Sequence, residues 1–147
     1  MEVVTLLQQI DLFRDLTAEQ LAVISNIMVE ETFLSGDVVF EQGSVADKMY
    51  LISQGQLEVI VEYENGKKES VLYLGTGQVV GEMTLVDEGR RSATVISAED
   101  ETHVFSIPNA TFTELCATNT DIGYIIMRNI AQDMSFKLRH RGSETIE

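Results

Sequence analysis

The chain has 147 residues, 44% hydrophobic and 23% charged, a size and composition that suit one globular domain burying its own core. Its 10 basic residues against 24 acidic ones give a formal net charge of −14, a surface that repels nucleic acid and anionic membranes, since such binding is built from Lys/Arg contacts to phosphate. One cysteine, Cys116, excludes an internal disulfide and any multi-cysteine metal cluster, and its apolar-polar surroundings suit a small packing residue.

The first residues, Met1-Glu2-Val3-Val4, lack the basic flank and long apolar run of a secretion signal. No apolar run approaches the ~18–20 residues that span a bilayer, so the expected compartment is the cytoplasm. Leu6, Leu7, Ile10, Leu12 and Phe13 cluster at roughly helical spacing. A bend follows over residues 11–15. Thr17 stands three residues before Gln20, the spacing of a capping box, and Leu21, Ile24, Ile27 and Met28 continue as one helical stripe. Residues 1–30 are therefore expected to form two helices, the second reaching about Val29.

From Glu31 to Ile107 the pattern turns to β. Short apolar or alternating runs at 33–34, 38–40, 49–52, 57–61, 71–74, 79–80, 93–96 and 104–107 are separated by turn residues such as Ser35-Gly36-Asp37 and Gly75-Thr76-Gly77. Asn65-Gly66 between two such runs predicts a two-residue hairpin turn with both residues at positive φ. Eight short strands at this spacing predict a double-sheet jelly roll or barrel. A metal enzyme on that scaffold needs two or three converging histidines, and the chain has only His103 and His140, far apart in sequence. No Ser/His/Asp constellation stands out either, so no enzyme and no metal site are expected. Residues 108–141 are expected as a short helix over about 110–117 and a long one from Asn119-Thr120-Asp121. In the long helix Ile122, Ile126, Ile130 and Met134 recur every four residues, and Ile125, Met127, Ala131 and Leu138 widen the stripe beyond one face. That width suggests a second partner.

The segment with the most chemistry runs from Gly81 to Val95. Gly81-Glu82 leads into one short helical turn, Met83 to Val86; Asp87-Glu88-Gly89 breaks it, and Arg91-Ser92-Ala93 opens the next strand. Unpaired N–H groups at a helix start can hold an anion, and an arginine brought back against them adds a charge-assisted grip on phosphate. A carboxylate such as Glu82 tolerates that neighbour when it accepts from a neutral donor, for example a ribose hydroxyl. The pair points to a sugar phosphate of low charge. Arg90 is expected to be a solvated neighbour.

This segment resembles the phosphate-binding cassette of cyclic-nucleotide-binding domains, whose pattern is Gly-Glu, two small or apolar residues, Leu, a variable loop, then Arg-Ser/Thr/Ala-Ala. Gly81, Glu82, Leu85, Arg91, Ser92 and Ala93 match it. The resemblance covers about residues 5–141 and implies an eight-stranded jelly-roll barrel with N-terminal helices, the cassette at 81–93 and a long C-terminal helix. It implies that Glu82, with Gly81, takes the ribose 2′-hydroxyl, and that Arg91, Ser92, Ala93 and Met83 hold the cyclic phosphate. Val59, Val71, Leu74 and Val80 would line the base pocket, with Met134 and Lys137 of the long helix above. Matching Ile130-Ala131-Gln132-Asp133-Met134 to the similar run of the catabolite activator puts Lys137-Leu138 where that protein reads adenine with Thr-Ser. Base identity thus stays open between cAMP and cGMP. The long helix, Ile122 to Leu138, would form a homodimer. No helix-turn-helix fits in the residues after 141, so the expected function is a stand-alone cyclic-nucleotide sensor acting on a separate effector protein, without nucleic acid, membrane or cofactor. The alternative is a degenerate jelly-roll interaction domain that no longer binds nucleotide.

Overall fold

The computed structural model describes residues 2–145, with side chains as far as residue 140. Helix α1 (Val3–Gln8) and a 3-10 turn (Asp11–Phe13) precede helix α2 (Ala18–Ser25). The capping box at the start of α2 is formed: the Gln20 N–H donates to Thr17 Oγ1 at 3.1 Å, and the Thr17 N–H to Gln20 Oε1 at 2.9 Å. Helix α2 ends at Ser25, short of the expected Val29. The reason is tertiary, because Val29 opens strand β1 (Val29–Leu34).

Seven more strands follow: β2 (Val38–Phe40), β3 (Lys48–Gln54), β4 (Gln56–Glu62), β5 (Lys68–Gly75), β6 (Val79–Val80), β7 (Thr94–Ser97) and β8 (Glu101–Pro108). They pair antiparallel into two four-stranded sheets, ordered β1-β8-β3-β6 and β2-β7-β4-β5, the double-sheet jelly roll. Val29 pairs with Ser106 of β8, so the outer strand takes up the residues that would have extended α2. Strand β3 shows why its apolar run is continuous rather than alternating. Tyr50 and Ile52 face the interior between the sheets, with Leu57, Val95 and Val104. Met49 and Leu51 face the other way, into a core shared with the helices. Side chains at period two thus serve two cores.

The hairpin between β4 and β5 differs from the two-residue turn. Glu62 pairs with Lys68, and the Gly66 N–H donates back to Tyr63 O at 2.8 Å. Only Gly66 takes positive φ, at 82°, while Asn65 uses its side-chain oxygen to accept from the Lys67 N–H. The result is a turn closed by a single left-handed glycine, the longer hairpin type.

Helix α3 (Asn109–Thr118) and the long helix α4 (Thr120–Thr145) pack so closely that a Cβ on Gly123 would lie 2.9 Å from the Cys116 Cβ. Cys116 is half-buried there, and burial raises its thiol pKa. Ile122, Ile126 and Ile130 point into the helical core, at 1%, 0% and 5% exposure. They belong to the domain's own interior and cannot form a seam with a second copy. Among the described residues the large exposed apolar side chains of α4 are Tyr124, Met127, Phe136 and Leu138, and Ala131 is exposed as well. Asn129, fully buried, donates from Nδ2 to Leu12 O and Arg14 O, both at 2.9 Å, and so ties α4 to the 3-10 turn. No helix among the described residues is long and apolar enough to cross a membrane.

Candidate functional site

Strand β6 ends at Val80, and Gly81 turns the chain with φ 87°, a region that an L side chain rarely occupies. Space is short there as well, since a Cβ on Gly81 would sit 2.7 Å from Arg91 Nη1 and 3.0 Å from Lys48 O. Glycine therefore permits both the turn and the seating of the arginine. Glu82–Leu85 form one 3-10 turn, with the Thr84 N–H donating to Gly81 O at 3.2 Å. Among the described residues no partner pairs with the Glu82 carboxylate.

The loop before β7 returns against this turn because backbone bonds hold it. The Gly43 N–H donates to Arg91 O and the Arg91 N–H to Ser44 O, both at 2.8 Å, and the Ala46 N–H to Gly89 O at 3.0 Å. Arg90, exposed, donates from Nη1 to Gly43 O at 3.0 Å. The Arg91 side chain instead enters the interior and is only 4% exposed. Its Nη2 donates to Lys48 O at 2.7 Å, and its guanidinium lies over the Phe40 ring, 4.0 Å from the centroid. Nε has no partner among the described residues. The nearest carboxylate oxygen, on the largely exposed Asp47, is 3.8 Å away, a long and solvated pair that supplies little compensation. Burial lowers the Arg91 pKa from its ordinary value, with Tyr50 and Asp47 acting in the opposite sense. Tyr50 shifts upward through its own burial first, then through Glu31 and Asp47, while Arg91 opposes the shift. A buried cation held by one carbonyl and a ring face lacks a close counter-charge.

Arg91 borders a cavity of about 250 Å3 that also contacts Phe40, Val59, Val80, Gly81, Glu82, Met83, Ser92 and Ala93. A second cavity, of about 230 Å3, lies between Leu74, Gln78, Val79, the 3-10 turn at Asp11 and the face of α4 bearing Asp133, Met134 and Lys137. Glu82 and Met83 line both. The residues expected at a base pocket thus divide: Val59 and Val80 lie on the Arg91 side, Leu74, Met134 and Lys137 on the α4 side. Val71 lines neither. It stands 41% exposed on β5, where the register slips opposite Val59 and Ile60 and takes it out of the alternation. Phe40 and the α4-side carboxylates Asp11 and Asp133 escaped the sequence reading. They are remote from the cassette in the chain, and only the pairing of β2 with β7 and the packing of α4 bring them close.

The jelly roll thus places a buried arginine without a close counter-charge and the Glu82 carboxylate on the lining of one cavity. The profile of the cyclic nucleotide-binding domain matches residues 30–119, and the chain belongs to that family. It is 30% identical over 89 residues to the cyclic AMP receptor protein of Thermus thermophilus, covering 60% of this chain and 41% of that protein. It is 31% identical over 109 residues to the cAMP-dependent protein kinase regulatory subunit of Blastocladiella emersonii, covering 74% of this chain and 27% of that one. Among solved structures, the N-terminal domain of a transcriptional regulator from Streptomyces coelicolor superposes with a TM-score of 0.83 at 23% identity, covering 90% of this chain and 94% of that one. The chain therefore spans well under half the length of these two relatives.

Proposed function

We propose that the domain binds a 3′,5′-cyclic nucleotide, cAMP or cGMP, as a regulatory ligand and passes its occupancy through α4 to a separate effector protein. The observation that carries this reading is the buried Arg91 guanidinium, which lacks a close counter-charge and borders a cavity shared with Glu82. The cyclic phosphate would take the Arg91 side with Ser92 and the backbone of Met83 and Ala93, the ribose would meet Glu82 and Gly81, and the base would reach toward Leu74 and Met134. The names of the two relatives, a cyclic AMP receptor and a cAMP-dependent kinase subunit, support the ligand class.

A ligand that binds only the folded state stabilises it by RT ln(1 + [L]/Kd), about 2.7 kcal/mol at a hundredfold excess over Kd. Thermal melts with millimolar cAMP and cGMP should therefore shift upward with at least one of them. No shift with either, matched by no calorimetric heat, would replace this reading with a jelly-roll interaction domain that binds no nucleotide.

The same reading includes a homodimer through α4. Its support is the exposed line of Tyr124, Met127 and Leu138, set apart on the helix from the core-facing isoleucines. Light scattering at tens of micromolar is expected to give twice the monomer mass. Met127→Glu, which places a charge on the exposed side and leaves the core alone, should return the monomer mass; a native monomer with and without nucleotide would exclude the dimer.

A further inference from the structure

Resting on the cyclic-nucleotide reading, we infer that Gln42 is a positioning residue for the Arg91 side of the cavity. Its side-chain amide fills the place on β4 that the Ser92 main chain would otherwise take, and so keeps Arg91, Ser92 and Ala93 at the cavity rather than in the sheet. The inference starts from where β7 stops. Strand β4 runs to Glu62, but its pairing with β7 covers only Leu57↔Ser97 to Ile60↔Thr94. The same register carried two residues further sets Ser92 opposite Glu62. Gln42 stands in that place. The Glu62 N–H donates to Gln42 Oε1 at 2.8 Å, and Gln42 Nε2 donates to Glu62 O at 2.9 Å. A side-chain amide carries a carbonyl and an N–H side by side, the two groups that a strand residue offers across an antiparallel ladder.

Gln42 is itself anchored beside the cassette. Its main-chain N–H donates to Oγ1 of Thr94, the first residue of β7, at 2.9 Å. The residues that follow it hold the cassette: the Gly43 N–H donates to Arg91 O, the Arg91 N–H to Ser44 O and the Ala46 N–H to Gly89 O. Among the described residues the Ser92 N–H has no partner, so it is available to Glu62 once the amide is gone. Loss of the amide also leaves the Glu62 N–H and C=O unpaired, which favours closing the ladder on Ser92. That closure would draw Ser92 off the cavity lining and break the main-chain bonds that Arg91 makes to Gly43 and Ser44. The seat of the guanidinium over Phe40 depends on those bonds. Gln42 is exposed, so its replacement does not disturb the core.

Two measurements on the full chain test this with Gln42→Leu, which keeps the bulk of the side chain and removes both bonds to Glu62. Amide hydrogen exchange, followed without ligand, should show the Ser92 N–H of Gln42→Leu exchanging at least about tenfold more slowly than in the native chain, because a new ladder bond protects it. Calorimetric titration with cAMP and cGMP should show affinity lowered by about tenfold, the scale of one charge-assisted contact to the phosphate. A merely structural role for Gln42 would instead speed exchange along β4 and β7 and leave Ser92 unprotected. Native affinity in Gln42→Leu overturns the inference and leaves the cyclic-nucleotide reading in place. So does a Ser92 amide that exchanges as fast as in the native chain, or faster. Absence of binding of both nucleotides by the native chain overturns the proposed function, and with it the role of Gln42 toward a nucleotide.

Discussion

Arg91→Ala is expected to weaken cyclic-nucleotide binding by at least about tenfold, since a charge-assisted hydrogen bond to a desolvated anion contributes roughly 1.5–3 kcal/mol and each 1.4 kcal/mol is a decade in affinity. The guanidinium is already almost fully buried, stacked on Phe40 and oriented by Lys48 O, so under the proposed reading it would meet a phosphate without reorganising. Two companions make the result specific. Glu82→Ala should narrow the preference for a ribose over a 2′-deoxyribose ligand, because its carboxylate is assigned to that hydroxyl alone. Arg90→Ala should change affinity only slightly, since that side chain is exposed and bonded to Gly43 O. Calorimetry of the three variants with cAMP, cGMP and their 2′-deoxy forms decides the matter, with thermal melts to confirm folding. Loss of binding in Arg90→Ala but not in Arg91→Ala would show that the wrong arginine has been assigned to the phosphate.

The largest stability effect is expected from Asn129→Ala. Its Nδ2 is the donor to two main-chain carbonyls, Leu12 O and Arg14 O, in a fully buried position. Truncation leaves both acceptors unpaired, at about 1–3 kcal/mol each, so a total of roughly 2–6 kcal/mol follows. For a chain of this length that corresponds to a fall in melting temperature of roughly 4–24 °C. Asn129→Asp keeps the shape but removes the donor and should cost at least as much near neutral pH, where a buried carboxylate would face two carbonyl oxygens. A loss below about 1 kcal/mol by urea denaturation in either variant would mean that water replaces the amide at both carbonyls.

Much of the architecture was legible because it depends on local patterns. The eight runs between residues 31 and 107 became eight strands, and Thr17 with Gln20 capped the helix they were expected to cap. The departures have tertiary causes. Helix α2 gave up Val29 because β8 offered a pairing partner, and Asn65 found a side-chain bond that removed its need for positive φ. In α4, a four-residue repeat cannot say which face meets the domain and which meets a neighbour; the structure assigns Ile122, Ile126 and Ile130 to the domain. The cassette's own members, Glu82, Arg91, Ser92 and Ala93, do come together around one cavity. Its aromatic support, Phe40, carried no signal, since a lone phenylalanine in a β run looks like any core residue.

The placement of Arg90 and Arg91 at one cavity has a consequence for which anions can arrive. Two of the chain's ten positive charges are gathered there, one at the surface and one inside, on a molecule of net charge −14. At physiological ionic strength their attraction fades over a Debye length of about 8 Å, while the surrounding carboxylates meet anything larger. A small monoanion fits within the reach of that positive spot and can be drawn in. A polyanion cannot present one phosphate to it without laying the rest of its charge along acidic surface. On the proposed reading the protein's field would act as a size filter, favouring a free nucleotide over the same chemical groups strung along a polymer or spread across a lipid sheet.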